Sequence, residues 1–323
     1  MKSGIQVLIF GLAISLLPWY ANGEEGASGH YIPGVTADFM DALPNETGLA
    51  AFDFFTYYNG GAGVSEPFDF AGRLALGVEG TVYAETVGLL YKTPLRILGG
   101  NYAASIAIPV VWVDVKAQTE FGGPFGKLLL GRNIEDTASG LGDITIYPFI
   151  LGWKQFNGDL KYDLRFGIYA PTGSYNTGDL ANAGRNFWTF EPGFSISWLS
   201  SKIGTEVSLF SGFDFNTENN ATQYQSGAVF HLDATIAQHL PLFGGFVGVG
   251  ANVFYYQQIT GDSGSGAKLG SFEGSTTGIG PVVNCAHKIG KMDVVGEVKW
   301  LPELGVDKRL KGDYLWVKVG VVF

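Results

Sequence analysis

Cysteine is almost absent: Cys285 stands alone in 323 residues, so no internal disulfide staples the chain. The four histidines, His30, His231, His239 and His287, are scattered, and no HExxH or CxxC spacing brings metal ligands together. The sequence therefore predicts no metal and no cofactor. Charged residues make up only 15%, and 30 acidic residues outnumber 20 basic ones. That balance excludes a polybasic surface for nucleic acid or lipid headgroups. Beyond the first residues no run approaches the ~18 consecutive apolar residues of a membrane-spanning helix.

What is abundant is glycine, at 48 residues, and aromatic residues, at 14%. Mean hydropathy is positive, +0.16. Such a chain is too apolar and too poor in charge for an ordinary soluble enzyme. The N-terminus carries Lys2, an apolar run from Ile5 to Leu17 and small residues in Ala21-Asn22-Gly23. This pattern predicts a signal peptide over 1–23 and export. Its removal leaves 19 basic against 30 acidic residues.

From Leu49 onward, apolar and polar residues alternate with period two between turn formers, the signature of half-buried strands. The predicted segments are Leu49–Tyr58, Arg73–Tyr91, Tyr102–Gln118, Gly142–Trp153, Lys161–Tyr169, Trp188–Leu199, Ile203–Phe215, Gln225–Leu240, Phe246–Ile259, Thr276–His287, Met292–Leu301 and Asp313–Phe323. Connections alternate between long (about 9 to 23 residues) and short (about 3 to 10), as strands threading a bilayer require and a sandwich does not. Lipid also forbids open sheet edges. The predicted fold is all-β: a transmembrane antiparallel up-and-down β-barrel of about 12 strands, with short periplasmic turns and long external loops, in the bacterial outer membrane. Outer-membrane lipid is then a partner. The alternation through Leu315, Val317, Val319 and Val321 to Phe323 looks like the terminal signal read by the barrel assembly machinery during biogenesis. The barrel is assigned to 48–323, and 24–47 to a periplasmic or plug segment.

Strand parity assigns one face to lipid and one to the lumen. Val111, Val113 and Val115 are placed on lipid, with Trp112, Asp114 and Lys116 inside. In GLGDITIYPFILGW (Gly140–Trp153), Ile144, Ile146, Pro148 and Ile150 are placed on hydrocarbon, Asp143, Thr145 and Tyr147 in the lumen, and Trp153 in the interfacial girdle. Pro148 removes a ladder donor, which predicts a bulge. The full set of candidate lumen residues is Arg73, Glu79, Glu85, Trp112, Asp114, Lys116, Asp143, Tyr147, Arg165, Glu191, Glu206, His231, Asp233, Glu297, Lys299, Trp316 and Lys318. Tyr83, Phe254 and Tyr256 share their parity.

Four stretches together resemble one family: Gly29–Gly48, Gly140–Trp153, Ala170–Trp198 and Tyr255–Pro281, with the GLGD and PTG-Y motifs most specific. The family is that of outer-membrane barrels involved in the meta-pathway of phenol degradation, often called transporters. The resemblance implies a barrel tied to aromatic-compound breakdown. Gly140, Asp143, Pro171, Thr172, Gly173 and Gly193 carry the likeness and read as turn, rim and register residues.

No catalytic motif appears. GDSGSGAK (Gly261–Lys268) mimics a phosphate loop, but Ala267 splits Gly266 from Lys268 and no helix pattern follows, so it reads as an external loop. A Ser–His pair of a barrel hydrolase is the alternative chemistry, and His231 with Asp233 is the one histidine–carboxylate pair of matching parity. A twelve-strand wall encloses more space than its own side chains fill. Glu24–Thr47, with Phe39, Met40 and Leu43, and Phe121–Leu141 are the segments available to fold inside. The expected function is passive uptake of small hydrophobic or aromatic solutes. The alternatives are the hydrolase or a plugged barrel with a structural or binding role.

Overall fold

The structure, a computed structural model, describes residues 24–63, 67–122, 127–129, 134–268 and 270–323. The segment assigned as a signal peptide lies outside the described residues, as do residues 123–126 and 130–133. The strands are β1 (Gly48–Gly61), β2 (Phe68–Phe70), β3 (Arg73–Ile97), β4 (Gly100–Gly122), β5 (Lys127–Leu129), β6 (Ile134–Leu141), β7 (Ile144–Gln155), β8 (Leu160–Ala170), β9 (Thr189–Leu199), β10 (Thr205–Asn216), β11 (Val229–Leu242), β12 (Gly245–Gln258), β13 (Ser275–Ile289), β14 (Met292–Asp307) and β15 (Lys311–Val322).

β6 and β7 are two halves of one stave, since β4 pairs Ala107 with Thr145 of β7 and Val110 with Leu141 of β6. Counting them together, and setting aside the short β2 and β5, gives twelve staves in an antiparallel up-and-down order. The first and last close the barrel, from Ala50↔Val322 to Gly61↔Lys311. Closure pairs the backbone groups that an open edge would leave bare in hydrocarbon.

Turns at one rim are short. Leu98-Gly99 and Phe243-Gly244 hold positive φ at both residues, the twist that two-residue hairpins need. The outer wall carries an apolar belt including Val87, Ile108, Leu164, Val207, Ile236, Val253, Val283 and Val319, all exposed to the surroundings. Aromatic residues such as Tyr83, Trp112, Trp188 and Trp300 stand on the same surface. So much exposed apolar area has its natural solvent in lipid.

Pro148 sits in the bulge that its missing donor predicts: register shifts between Ile146 and Phe149 against β8, and between Ala103 and Ser105 of β4. The extra residue reverses parity beyond it. Ile150, placed on lipid by strict alternation, is therefore turned inward and buried against Leu43 and Ala103.

A second correction concerns β3 and β4. Val82, Val111, Val113 and Val115 face the lumen. Glu79, Glu85, Trp112, Asp114 and Lys116, expected inside, lie on the outer face, as does Tyr83. These strands run 25 and 23 residues, far beyond the ~9–11 that cross a bilayer. Above the Tyr83↔Trp112 pair they rise into water, where outward charge costs nothing; Glu79↔Lys116 and Thr81↔Asp114 are cross-strand neighbours there. Lys116 is 3.4 Å from Glu135 on the same exposed surface. Glu85 stands one outward position below Tyr83.

Candidate functional site: the strapped lumen

The lumen is filled by residues 24–47, which run inside the barrel along its length. Polar inward residues of the wall hold this segment at every level, because a charge taken out of water needs a partner. At the external end, Glu24 accepts from Tyr256 Oη and Arg309 Nη1, and its own N–H donates to Asp262. Glu25 accepts from Asn219 Nδ2 at 2.8 Å and Tyr175 Oη at 3.1 Å. Burial raises the Glu25 carboxyl above its ordinary range.

Midway, Asp233 of β11 gathers a tight turn. It accepts from Tyr31 Oη at 2.5 Å, from the Gly34 N–H at 3.1 Å, and from Thr36 Oγ1 at 3.0 Å. Trp316 Nε1 donates to the Pro33 carbonyl, and Lys299 Nζ to the Thr36 carbonyl at 2.9 Å.

Below that turn lies a four-charge knot. Asp38 caps the short 3-10 turn Phe39–Asp41 by accepting from the Met40 N–H. Its other oxygen meets Lys318 Nζ at 2.7 Å and Lys299 Nζ at 3.5 Å. Glu297 bridges the same two ammonium groups, at 3.1 Å and 3.2 Å. Two cations and two carboxylates balance, all fully buried. Burial alone raises the Asp38 carboxyl, but Lys318 and then Lys299 pull it well below the usual carboxylate range. Asp41, buried beside Asp38, is pushed up to about 6.

Nearer the periplasmic rim, Arg165 clasps Asp163 through two bonds of 2.7 and 2.8 Å and donates to the Asp41 carbonyl. Lys161 donates to the Leu43 carbonyl, and Lys92 to those of Pro44 and Asn45. The inward charges of the wall thus serve mostly as straps.

The GLGD and PTG motifs meet at a break in the wall. β8 ends at Ala170, so among the described residues no strand pairs with the second edge of β6. Residues 171–187 turn inward across that edge instead. Asp143, between β6 and β7, accepts from the N–H of Gly173 at 2.8 Å and of Arg185 at 2.7 Å. It also lies 3.0 Å from His30 Nε2. Gly173 and Gly184 pack backbone to backbone; a Cβ on Gly173 would come within 2.5 Å of Gly184 Cα. Leu180 and Ala181 then join Phe68, Phe70, Ala75 and Val78 in a cluster inside the mouth.

Between the segment and β1, β3 and β4 remains a cavity of about 420 Å³. Phe52, Phe54, Val82, Ala84, Val111 and Val113 line its wall side, and Ile32, Val35 and Met40 its inner side. That volume suits a small apolar guest.

Of the sequence-assigned lumen residues, Arg73, Asp143, Tyr147, Arg165, Glu191, Glu206, His231, Asp233, Glu297, Lys299, Trp316 and Lys318 point inward. Arg73 Nη1 donates to the Gly178 carbonyl at the mouth. Glu206 meets His239 Nε2 at 2.7 Å. Tyr147 and Tyr169 donate to Glu191 Oε2. His30, Asp38, Glu24 and Arg309 were not singled out by sequence, because their partners lie more than a hundred residues away; the Asp38–Asp41 capping spacing is the one local signal. The Gly261–Lys268 stretch is an external loop whose Ser263 bridges Gln225.

His30 Nδ1 lies 2.7 Å from Thr189 Oγ1, giving a hydroxyl–imidazole–carboxylate order with Asp143. Thr189, however, is fully buried and donates its proton to Asn216 Oδ1. The arrangement is a latch between segment, wall and loop and offers no nucleophile to a substrate.

A family model described as "Putative MetA-pathway of phenol degradation" matches residues 57–319. Among solved structures, an outer membrane channel from Pseudomonas putida F1 is similar at 16% identity, covering 91% of this chain and 100% of that one with a TM-score of 0.64. The beta domain of the Bordetella autotransporter BrkA (13%, 86% and 100%, TM-score 0.46) and the translocator domain of NalP from Neisseria meningitidis (14%, 86% and 90%, TM-score 0.44) are also similar. No curated protein matches the chain. The fold is that of bacterial outer-membrane barrels.

Proposed function

The chain belongs to the family of the putative MetA-pathway of phenol degradation, and on that premise we propose that it is an outer-membrane channel for passive uptake of small hydrophobic or aromatic compounds. One observation carries the reading: the cavity beside the N-terminal segment has an apolar wall of Phe52, Phe54, Val82, Val111 and Val113. A water-filled pore for hydrophilic solutes has no use for such a lining. The strapped segment blocks a straight aqueous path, so a solute leaves or enters where the wall is weakest, along the edge of β6 that no described strand pairs, behind residues 171–187. No bond is made or broken; the gradient drives transport and metabolism downstream maintains it.

Uptake of radiolabelled toluene and phenol by cells producing the wild type or Ala84→Trp tests this. Ala84 faces the cavity, and an indole there fills much of it. Uptake several-fold slower in the variant supports the reading, with Val87→Trp on the outer face as the control that leaves it unchanged. Equal uptake by the wild type and Ala84→Trp, with both correctly inserted, overturns it.

A further inference from the structure

Three adjacent staves bring Glu191 of β9, Asp214 of β10 and His231 of β11 to one point near the external end of the lumen. The three side chains are buried to 2% exposure or less. Burial of this degree demands partners, yet five of their polar atoms have none: Glu191 Oε1, both Asp214 oxygens, and both ring nitrogens of His231. Of the straps described above, Glu297 shares this lack of hydrogen bonds, but its carboxylate faces two ammonium groups at 3.1 and 3.2 Å. Here two buried carboxylates face a single imidazole.

The distances say what is missing. His231 Nε2 stands 3.4 Å from Glu191 Oε1 and 3.5 Å from Asp214 Oδ1. A charge-assisted hydrogen bond closes to about 2.7–2.9 Å. Ligands held at about 2.0–2.2 Å around a tetrahedral cation stand about 3.4 Å from one another. The observed spacing matches the second figure.

The site is also built. Gly212 lies beside the imidazole, where a Cβ would come within 2.7 Å of His231 Nε2, so only glycine leaves room for the ring to turn toward Glu191. Tyr147 and Tyr169 fix the other Glu191 oxygen. Tyr31 stacks on the His231 ring at 3.5 Å with 13° between planes and closes the cluster from the lumen side.

We propose that Glu191, Asp214 and His231 form a binding site for a divalent transition cation of the zinc class. Two carboxylates and a neutral imidazole match its charge and make the buried site neutral. The nitrogen ligand disfavours the hard, oxygen-seeking magnesium and calcium. His231 Nε2, Glu191 Oε1 and one or both Asp214 oxygens supply the ligand set. The ion joins three neighbouring staves beneath the ring on which the N-terminal segment rests. Solute passage does not depend on it, so the inference stands apart from the uptake reading.

The test uses the full mature chain, refolded in detergent, stripped with chelator, then incubated with Zn²⁺ or Co²⁺ and desalted. About one Zn²⁺ retained per folded chain, and intense tetrahedral-type visible bands with Co²⁺, are expected. His231→Gln and Asp214→Asn should retain at least tenfold less, with heat-modifiable gel mobility showing that they are folded. Folded wild type that retains no ion, or gives only the weak Co²⁺ spectrum of octahedral aquo-type ligation, overturns the site. So does equal retention by the folded variants.

Discussion

The Asp38 carboxylate of the inner segment lies 2.7 Å from the Lys318 ammonium of the last stave, 280 residues away in sequence. Both groups are fully withdrawn from water. Removing one partner strands charge in a low-dielectric lumen, a loss of about 3–5 kcal/mol for such pairs. Lys318→Ala should therefore loosen the segment without opening the wall. Limited proteolysis of residues 24–47 in the refolded barrel should be faster than in wild type, and single-channel conductance higher. Unchanged protection would show that Lys299 suffices.

Asp41 gives the segment a pH dependence. Its carboxyl is pushed up to about 6 when docked, against an ordinary value near 3.8. An acid with a raised docked value resists docking while ionised, so the penalty is fully present above about pH 6, shrinks as pH falls, and is gone only below the ordinary value near 3.8. Asp41→Asn should protect the segment better than wild type at pH 7.5, by a margin that narrows steadily toward pH 4.5. Identical protection profiles from pH 4.5 to 7.5 would count against the assignment.

Asp143 ties the loop, the segment and the stave break through Gly173, Arg185 and His30. Asp143→Ala leaves two part-buried N–H groups without an acceptor, at about 1 kcal/mol or more each. Hydrogen exchange across 171–187 should rise by one to two orders of magnitude, while the strands of β11–β15 keep their protection. Exchange confined to the barrel wall would contradict the clasp.

The lipid-facing belt makes a prediction about assembly. Val253 points outward from the middle of β12, next to buried Asn252 and Phe254 on the opposite parity. Arginine there costs about 2–4 kcal/mol near the bilayer midplane. Val253→Arg should refold poorly into lipid vesicles while refolding normally in detergent. Equal yields in both would place this surface outside the hydrocarbon.

The barrel was legible because its causes are local. Period-two alternation marks a strand wherever one face meets lipid, and in β11 and β15 it placed His231, Asp233, Trp316 and Lys318 on the inner face. The alternation misled where the solvent changes along the strand. Trp112, Asp114 and Lys116 look like lumen polarity, but Trp112 marks the outer level at which the stave leaves the membrane, and above it the side of Asp114 and Lys116 is water. Ile150 was lost to one extra residue at Pro148, although the proline itself announced the bulge. The segment's anchors were illegible for another reason: Asp38 has nothing in its neighbourhood that points to Lys299 or Lys318, and only the closed ring brings them together.

The inner segment has a consequence for the order in which the protein forms. Its straps on Trp316, Lys299 and Lys318 belong to the final two staves, whereas Pro33, Thr36 and Asp38, which they hold, precede the first stave. Contacts of such sequence separation form late and at high entropic cost. The first part of the chain must wait, unseated, for the last to arrive, and the seam between β1 and β15 closes around it. Protection of residues 24–47 against protease is thus a timer for completion of the ring.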